Sequence, residues 1–183
     1  MGTTVPMRSW CVPFSSWERI MNTENTLNDL YLADRAFEQE DRLINEAKNV
    51  LYARLQTRDL SLSSTSTVRD YLGLQLAGKQ SEVFSCLFLD SQHRLIEYRE
   101  MFVGTIDSCN VYPREVVKAA LQVNAAALIF AHNHPSGVAE PSHSDEVITR
   151  RLKEALSLMD IRVLDHFIVS NDAALSLAER GLI

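Results

Sequence analysis

Cysteine is scarce in this chain: Cys11, Cys86 and Cys109 are far apart and odd in number, and no Cys-x-x-Cys occurs. That excludes a disulfide framework and a thiolate zinc site, and leaves Cys86, inside an apolar run, as core packing. No apolar run approaches the ~18 residues that a membrane-spanning helix needs. The first residues lack a basic segment followed by a sustained apolar one, so no secretory signal is expected and the cytoplasm is the default setting. Positive charge is also in short supply. A net charge of −6 disfavours broad electrostatic binding of duplex nucleic acid. The one basic cluster, Arg150, Arg151 and Lys153, reads as a solvated helix surface. His-Glu-x-x-His is absent, and so are the His-x-Glu and Pro-Cys-x-x-Cys elements of zinc deaminases.

What remains is the composition of an ordinary globular protein, 46% hydrophobic and 23% charged, long enough at 183 residues for one domain plus an appendage. Residues 1–25 show no periodicity and read as a poorly ordered leader, with 26–66 as a helical extension and linker. Within that extension, Leu43, Ile44, Ala47, Val50, Leu51 and Leu55 recur at helical spacing, predicting an amphipathic helix over Glu40–Leu55 that packs on the domain. Thr67 with Asp70 predicts a helix start, and Gly78 a left-handed stop. Val83–Leu89 is apolar on both faces, as a strand covered on two sides would be. A second strand is expected over Leu95–Val103, ended by Gly104. Pro113 opens a helix to about Gln122, since a proline at the first helical position loses no bond. Strands over Ala125–Ala131 and Val163–Val169 flank a helix from Ser142 to about Met159. This alternation predicts an α/β, or α+β layered, fold.

The first of those two strands ends in His132, Asn133 and His134. In extended chain, side chains at i and i+2 point to the same face, so the two imidazoles stand side by side with Asn133 facing away. A loop carrying Pro135, Gly137 and Pro141 leads to Ser142 and Asp145. Two histidines and a carboxylate are ligands of the kinds zinc takes, with a fourth tetrahedral position left open for chemistry. Ser142 with Asp145 three residues later is also a capping pattern, and an aspartate that ligates metal is not expected to reach back fully as a cap.

His-x-His, seven residues, then Ser-x-x-Asp resembles the JAMM signature of MPN+ metalloproteases. The stretch from Val111, Tyr112 and Pro113 through His132–Gly137 to Asp165 and His166 is similar to the RadC branch in particular. The resemblance covers roughly Thr67 to Ile183 and implies an MPN/JAB-like central mixed β-sheet flanked by helices. No Gly-rich hairpin precedes Thr67, so the helix-hairpin-helix of full-length members is not expected, and the chain resembles a short variant. The resemblance implies one Zn2+ per chain on His132, His134 and Asp145, with Glu82 as general base and Ser142 steadying an oxyanion. Glu115 and Glu140 are rivals for the base, His143 reads as surface, and Asp165 with His166 is a candidate pair for orienting a ligand. The expected activity is hydrolysis of a peptide or isopeptide bond in a peptide or protein substrate. Two other readings stand beside it: a metal-dependent nuclease or DNA-repair accessory, and a binding module in which zinc only braces the loop.

Overall fold

The computed structural model of the protein describes residues 23–56, 65–76, 78–105, 109–171 and 173–183, with side chains from Phe37 onward. The chain divides into two compact units, Met1–Ile44 and Asn45–Ile183. The expected leader lies outside the described residues up to position 22. Its last three residues instead open helix α1, Thr23–Gln56, which starts well before the periodic stretch. In the first unit the described part is helix, with Phe37, Leu43 and Ile44 exposed.

In the second unit, the end of α1 places Leu51, Tyr52 and Leu55 on the core. Within this unit the expected packing stripe is therefore corrected: Ala47 and Val50 are exposed. A periodic stripe shows that a helix is two-sided, but it does not show how much of the stripe is covered. Residues 57–64, in the expected linker, lie outside the described residues. Helix α2, Thr65–Leu76, buries Val68, Tyr71, Leu72 and Leu76. Gly78 follows with φ of 77°, in the left-handed region.

Strands β1 (Val83–Leu89), β2 (Leu95–Val103), β3 (Ala127–Asn133), β4 (Arg162–Val169) and β5 (Ala174–Ser176) form one mixed sheet in the order β2-β1-β3-β4-β5. β1 runs antiparallel to both β2 and β3, β3 is parallel to β4, and β4 is antiparallel to β5. Helices α3 (Pro113–Gln122) and α4 (His143–Ser157) complete the unit, with α4 as the crossover between the parallel strands. β5 was not expected from sequence, because three residues are too few to show alternation.

Strand alternation sorts the core into two layers. Val83, Leu87, Leu89, Ile129 and Ala131 face α2 and the end of α1. Phe84, Cys86, Phe88, Leu128 and Phe130 face α3 and α4. β1 is buried along its whole length because it has a strand on each side and helices on each face. No helix among the described residues is long and apolar enough to cross a membrane.

Phe130, fully buried between β3 and the α3/α4 layer, should cost about 3–5 kcal/mol when replaced by Ala. Val103, 69% exposed at the sheet's edge strand, should change stability by less than about 0.5 kcal/mol. Chemical denaturation of the two variants checks the contrast, and equal losses would contradict the layer assignment.

Candidate metal centre

The same alternation sets up the site. Phe130, His132 and then His134 follow one face of β3, toward α4, while Ala131 and Asn133 follow the other. At the start of α4, Ser142 is the N-cap: its Oγ accepts from the Asp145 N–H at 3.2 Å, and the Ser142 N–H donates to Asp145 Oδ2 at 2.7 Å. Both halves of the capping box are therefore made. The cap expected of Ser142 is therefore present, and Asp145 takes part in it. A carboxylate has two oxygens, and while Oδ2 caps, Oδ1 lies 3.3 Å from His132 Nε2. Asp145 is thus fixed by its own helix with one oxygen to spare.

The histidine protons can be assigned from their partners. His134 Nδ1 lies 2.9 Å from the Val138 carbonyl, which only accepts, so Nδ1 carries the hydrogen. The turn that brings Val138 round is closed by the Gly137 N–H on the His134 carbonyl, with Gly137 at φ 85°. Thr149 donates its hydroxyl hydrogen to the Asp145 carbonyl at 2.5 Å, so it accepts from His166 Nδ1 at 2.6 Å. Burial above all, and His132 beside it, hold the His166 imidazole well below its ordinary range against the pull of Asp145, so the ring is neutral. Its Nε2 then accepts from His132 Nδ1 at 2.9 Å. A directed chain results, His132 to His166 to Thr149 to the Asp145 backbone.

With Nδ1 of the His132 and His134 rings engaged in this way, the two Nε2 atoms are turned toward each other, 2.9 Å apart. The Asp145 carboxylate faces them at 3.3 Å from His132 and 3.7 Å from His134. Burial alone would raise the Asp145 pKa, but His132 and Ser142 outweigh it and hold the carboxyl well below its usual range. A proton or a metal cation between these atoms offsets the repulsion of their lone pairs. These are the three residues whose ligand atoms, all within 4.8 Å of one another, can hold a metal ion.

A cavity of about 980 Å³ opens onto this cluster. Glu82, the residue before β1, lines it, as does Ser142. Its backbone is tied to the end of β2 by the Glu82 N–H on the Thr105 carbonyl and the Gly104 N–H on the Glu82 carbonyl, both 2.8 Å. The rival carboxylates lie elsewhere. Glu115 is exposed on α3 beside Lys118, and Glu140 is held by two hydrogen bonds from Arg180, so neither lines the cavity. His143 is exposed, as expected, but at the cavity's rim.

Two features went unread in the sequence. Asn133 does face away from the histidines, yet it is buried: its Oδ1 accepts from the Val83 N–H at 2.8 Å, and its Nδ2 donates to the Ser81 carbonyl at 2.9 Å. It clamps the backbone on both sides of Glu82. Thr149 sits one helical turn after Asp145, and that i, i+4 spacing was the available signal. The expected pair of Asp165 and His166 is split by alternation. His166 orients His132, while Asp165 points to the other face, taking hydrogen bonds from Ser176 Oγ at 2.6 Å and from the Ala178 N–H at 3.0 Å.

A mixed sheet of this order, with a His-x-His pair at the end of an inner strand and a capping aspartate on the crossover helix, defines a domain of MPN/JAB type. Residues 62–182 match the RadC-like JAB domain, and the chain belongs to the RadC family. It is 52% identical over 160 residues to a UPF0758 protein of Marinomonas sp. (strain MWYL1), spanning 87% of this chain and 71% of that one. It is 59% identical over 143 residues to one of Cellvibrio japonicus (strain Ueda107), covering 78% of this chain and 63% of that protein. A third, from Vibrio cholerae serotype O1 (strain ATCC 39315 / El Tor Inaba N16961), is 55% identical over 150 residues, 82% of this chain and 92% of the relative. None of these names states an activity.

Thr149→Val should leave the domain folded while weakening metal affinity by roughly 10–100-fold, the usual effect of removing a ligand's supporting hydrogen bond. Competition against a chromophoric chelator measures it, and wild-type affinity in a folded variant would break the proposed chain.

Proposed function

We propose that the chain is a zinc-dependent hydrolase of JAMM type that cleaves a peptide or isopeptide bond. The observation that carries this reading is the convergence of two imidazole Nε2 atoms and a carboxylate in the lining of a cavity. Zinc bonds of about 2.0–2.1 Å in a tetrahedron place ligand atoms roughly 3.3–3.4 Å apart, close to the 3.3 Å between His132 Nε2 and Asp145 Oδ1, with the two Nε2 atoms at 2.9 Å. Two imidazoles and one carboxylate suit zinc better than they suit magnesium or calcium, which prefer oxygen ligands. Three protein ligands leave a coordination position for substrate chemistry.

Bound zinc lowers the pKa of water and polarises a carbonyl. The remaining tasks fall to the chain. Glu82 accepts the proton of the attacking water and later returns it to the leaving amine. Ser142 Oγ, whose lone pair is engaged by the Asp145 N–H, keeps its own hydrogen for the developing oxyanion. Asn133, by holding the backbone at Ser81 and Val83, sets where the Glu82 carboxylate stands. The proposed setting is the cytoplasm, and the proposed partner is a peptide or protein substrate.

Purified protein should carry about one zinc per chain, as one ligand set implies. Glu82→Gln should retain that zinc, measured by elemental analysis, and lose turnover of a cleaved peptide by about 10²–10⁴-fold. Unchanged turnover would remove Glu82 from the mechanism. Zinc-dependent cleavage of nucleic acid but not of peptides, abolished by His134→Ala, would favour the nuclease reading instead.

A further inference from the structure

The cavity has a second charged end. Helix α4 turns about 100° per residue, so Ser144, Val147, Ile148 and Arg151 share one face, and all four line the cavity. Arg150 and Lys153 fall on the outer side. Arg151 is exposed like the rest of the basic cluster, but it alone of the three also lines the cavity. It is the only lysine or arginine among the described lining residues, and no carboxylate among the described residues pairs with it. Along α4 between Asp145 and Arg151 the lining residues are the apolar Val147 and Ile148, and Val111 and Phe84 add apolar lining from other elements.

Six residues separate Asp145 from Arg151, about 9 Å along the helix axis at ~1.5 Å per residue. An extended peptide covers that span in roughly three residues at ~3.3 Å each. A guanidinium with no protein partner at that distance is suited to a carboxylate, which it grips through two parallel N–H donors. A single cation does not suit a nucleic-acid strand, whose binding comes from several phosphate contacts. We propose that Arg151 is the specificity-determining residue of an anion subsite. It takes a peptide carboxylate about two to three residues from the bond to be cleaved, across an apolar stretch of the substrate. The inference rests on the peptidase reading above and names the substrate class for it.

The carboxylate can be the chain terminus or an Asp or Glu side chain, and binding separates the two. The probes are labelled hexapeptides that are apolar apart from the group tested: one with a free C-terminus, one amidated with an internal Glu, and one amidated and neutral. A labelled hexathymidylate is the nucleic-acid arm. Fluorescence anisotropy with the zinc-loaded Glu82→Gln chain reads affinity without turnover. At least one carboxylate peptide should bind about tenfold tighter than the neutral one, the worth of a charged hydrogen bond. In the Glu82→Gln background, Arg151→Ala should abolish that preference, Arg151→Lys should keep part of it, and Arg150→Ala should not change it. Arg151→Glu should transfer the preference to a peptide carrying Lys.

Equal binding of all peptides, no peptide binding, or a preference that survives Arg151→Ala overturns the subsite. Tighter, Arg151-dependent binding of the oligonucleotide overturns it as well. Failure of the peptidase reading shows itself separately, as absent cleavage by the wild-type zinc-loaded chain.

Discussion

A polar chain threads an otherwise apolar layer from His132 through His166 and Thr149 to the backbone of Asp145, and the geometry of the site follows from it. Each member is buried, and an unmade hydrogen bond at such a place costs about 1–3 kcal/mol. Once Thr149 donates to a carbonyl, every other proton in the chain has one position. The candidate ligand His132 on β3 is thereby joined to α4, which carries Asp145. Phe84 and Phe130 pack around the His166 ring, 5.6 and 5.7 Å between centroids, and keep water from competing for these bonds.

Around that chain, single segments serve two purposes. The capping box fixes Asp145 through Oδ2 and leaves Oδ1 beside His132, so one carboxylate starts the helix and still faces the histidines. The end of β3 works similarly: one face supplies the two imidazoles, while Asn133 on the other grips the strand that brings Glu82 to the cavity. Two groups on different strands are held in register by one asparagine. A site built this way on strand ends and a helix start is more sharply positioned than one carried on loops.

Much of this could be read from the residues. Val83–Leu89 was predicted at its observed bounds because a strand covered on every side is apolar at nearly every position, Ser85 excepted. His132 and His134 were predicted to share a face because the period of a strand is 2. Other features were out of reach. β5 is too short to carry a pattern, and the amphipathic stripe of α1 did not say that only Leu51 and Leu55 would be covered. Glu115 and Glu140 could not be separated from Glu82 on composition, since only folding sends one to the cavity and another to Arg180.

The sequence by itself determined which residue types meet: local periodicity and spacing dictate that two histidines point one way and that Ser142 and Asp145 open a helix. The tertiary structure alone decided how their protons are arranged and what they face. His166 reaches His132 across parallel strands, and Thr149 reaches His166 from the crossover helix. Such contacts join positions 17 and 34 residues apart, and a pattern that repeats every two or every 3.6 residues holds no information about them.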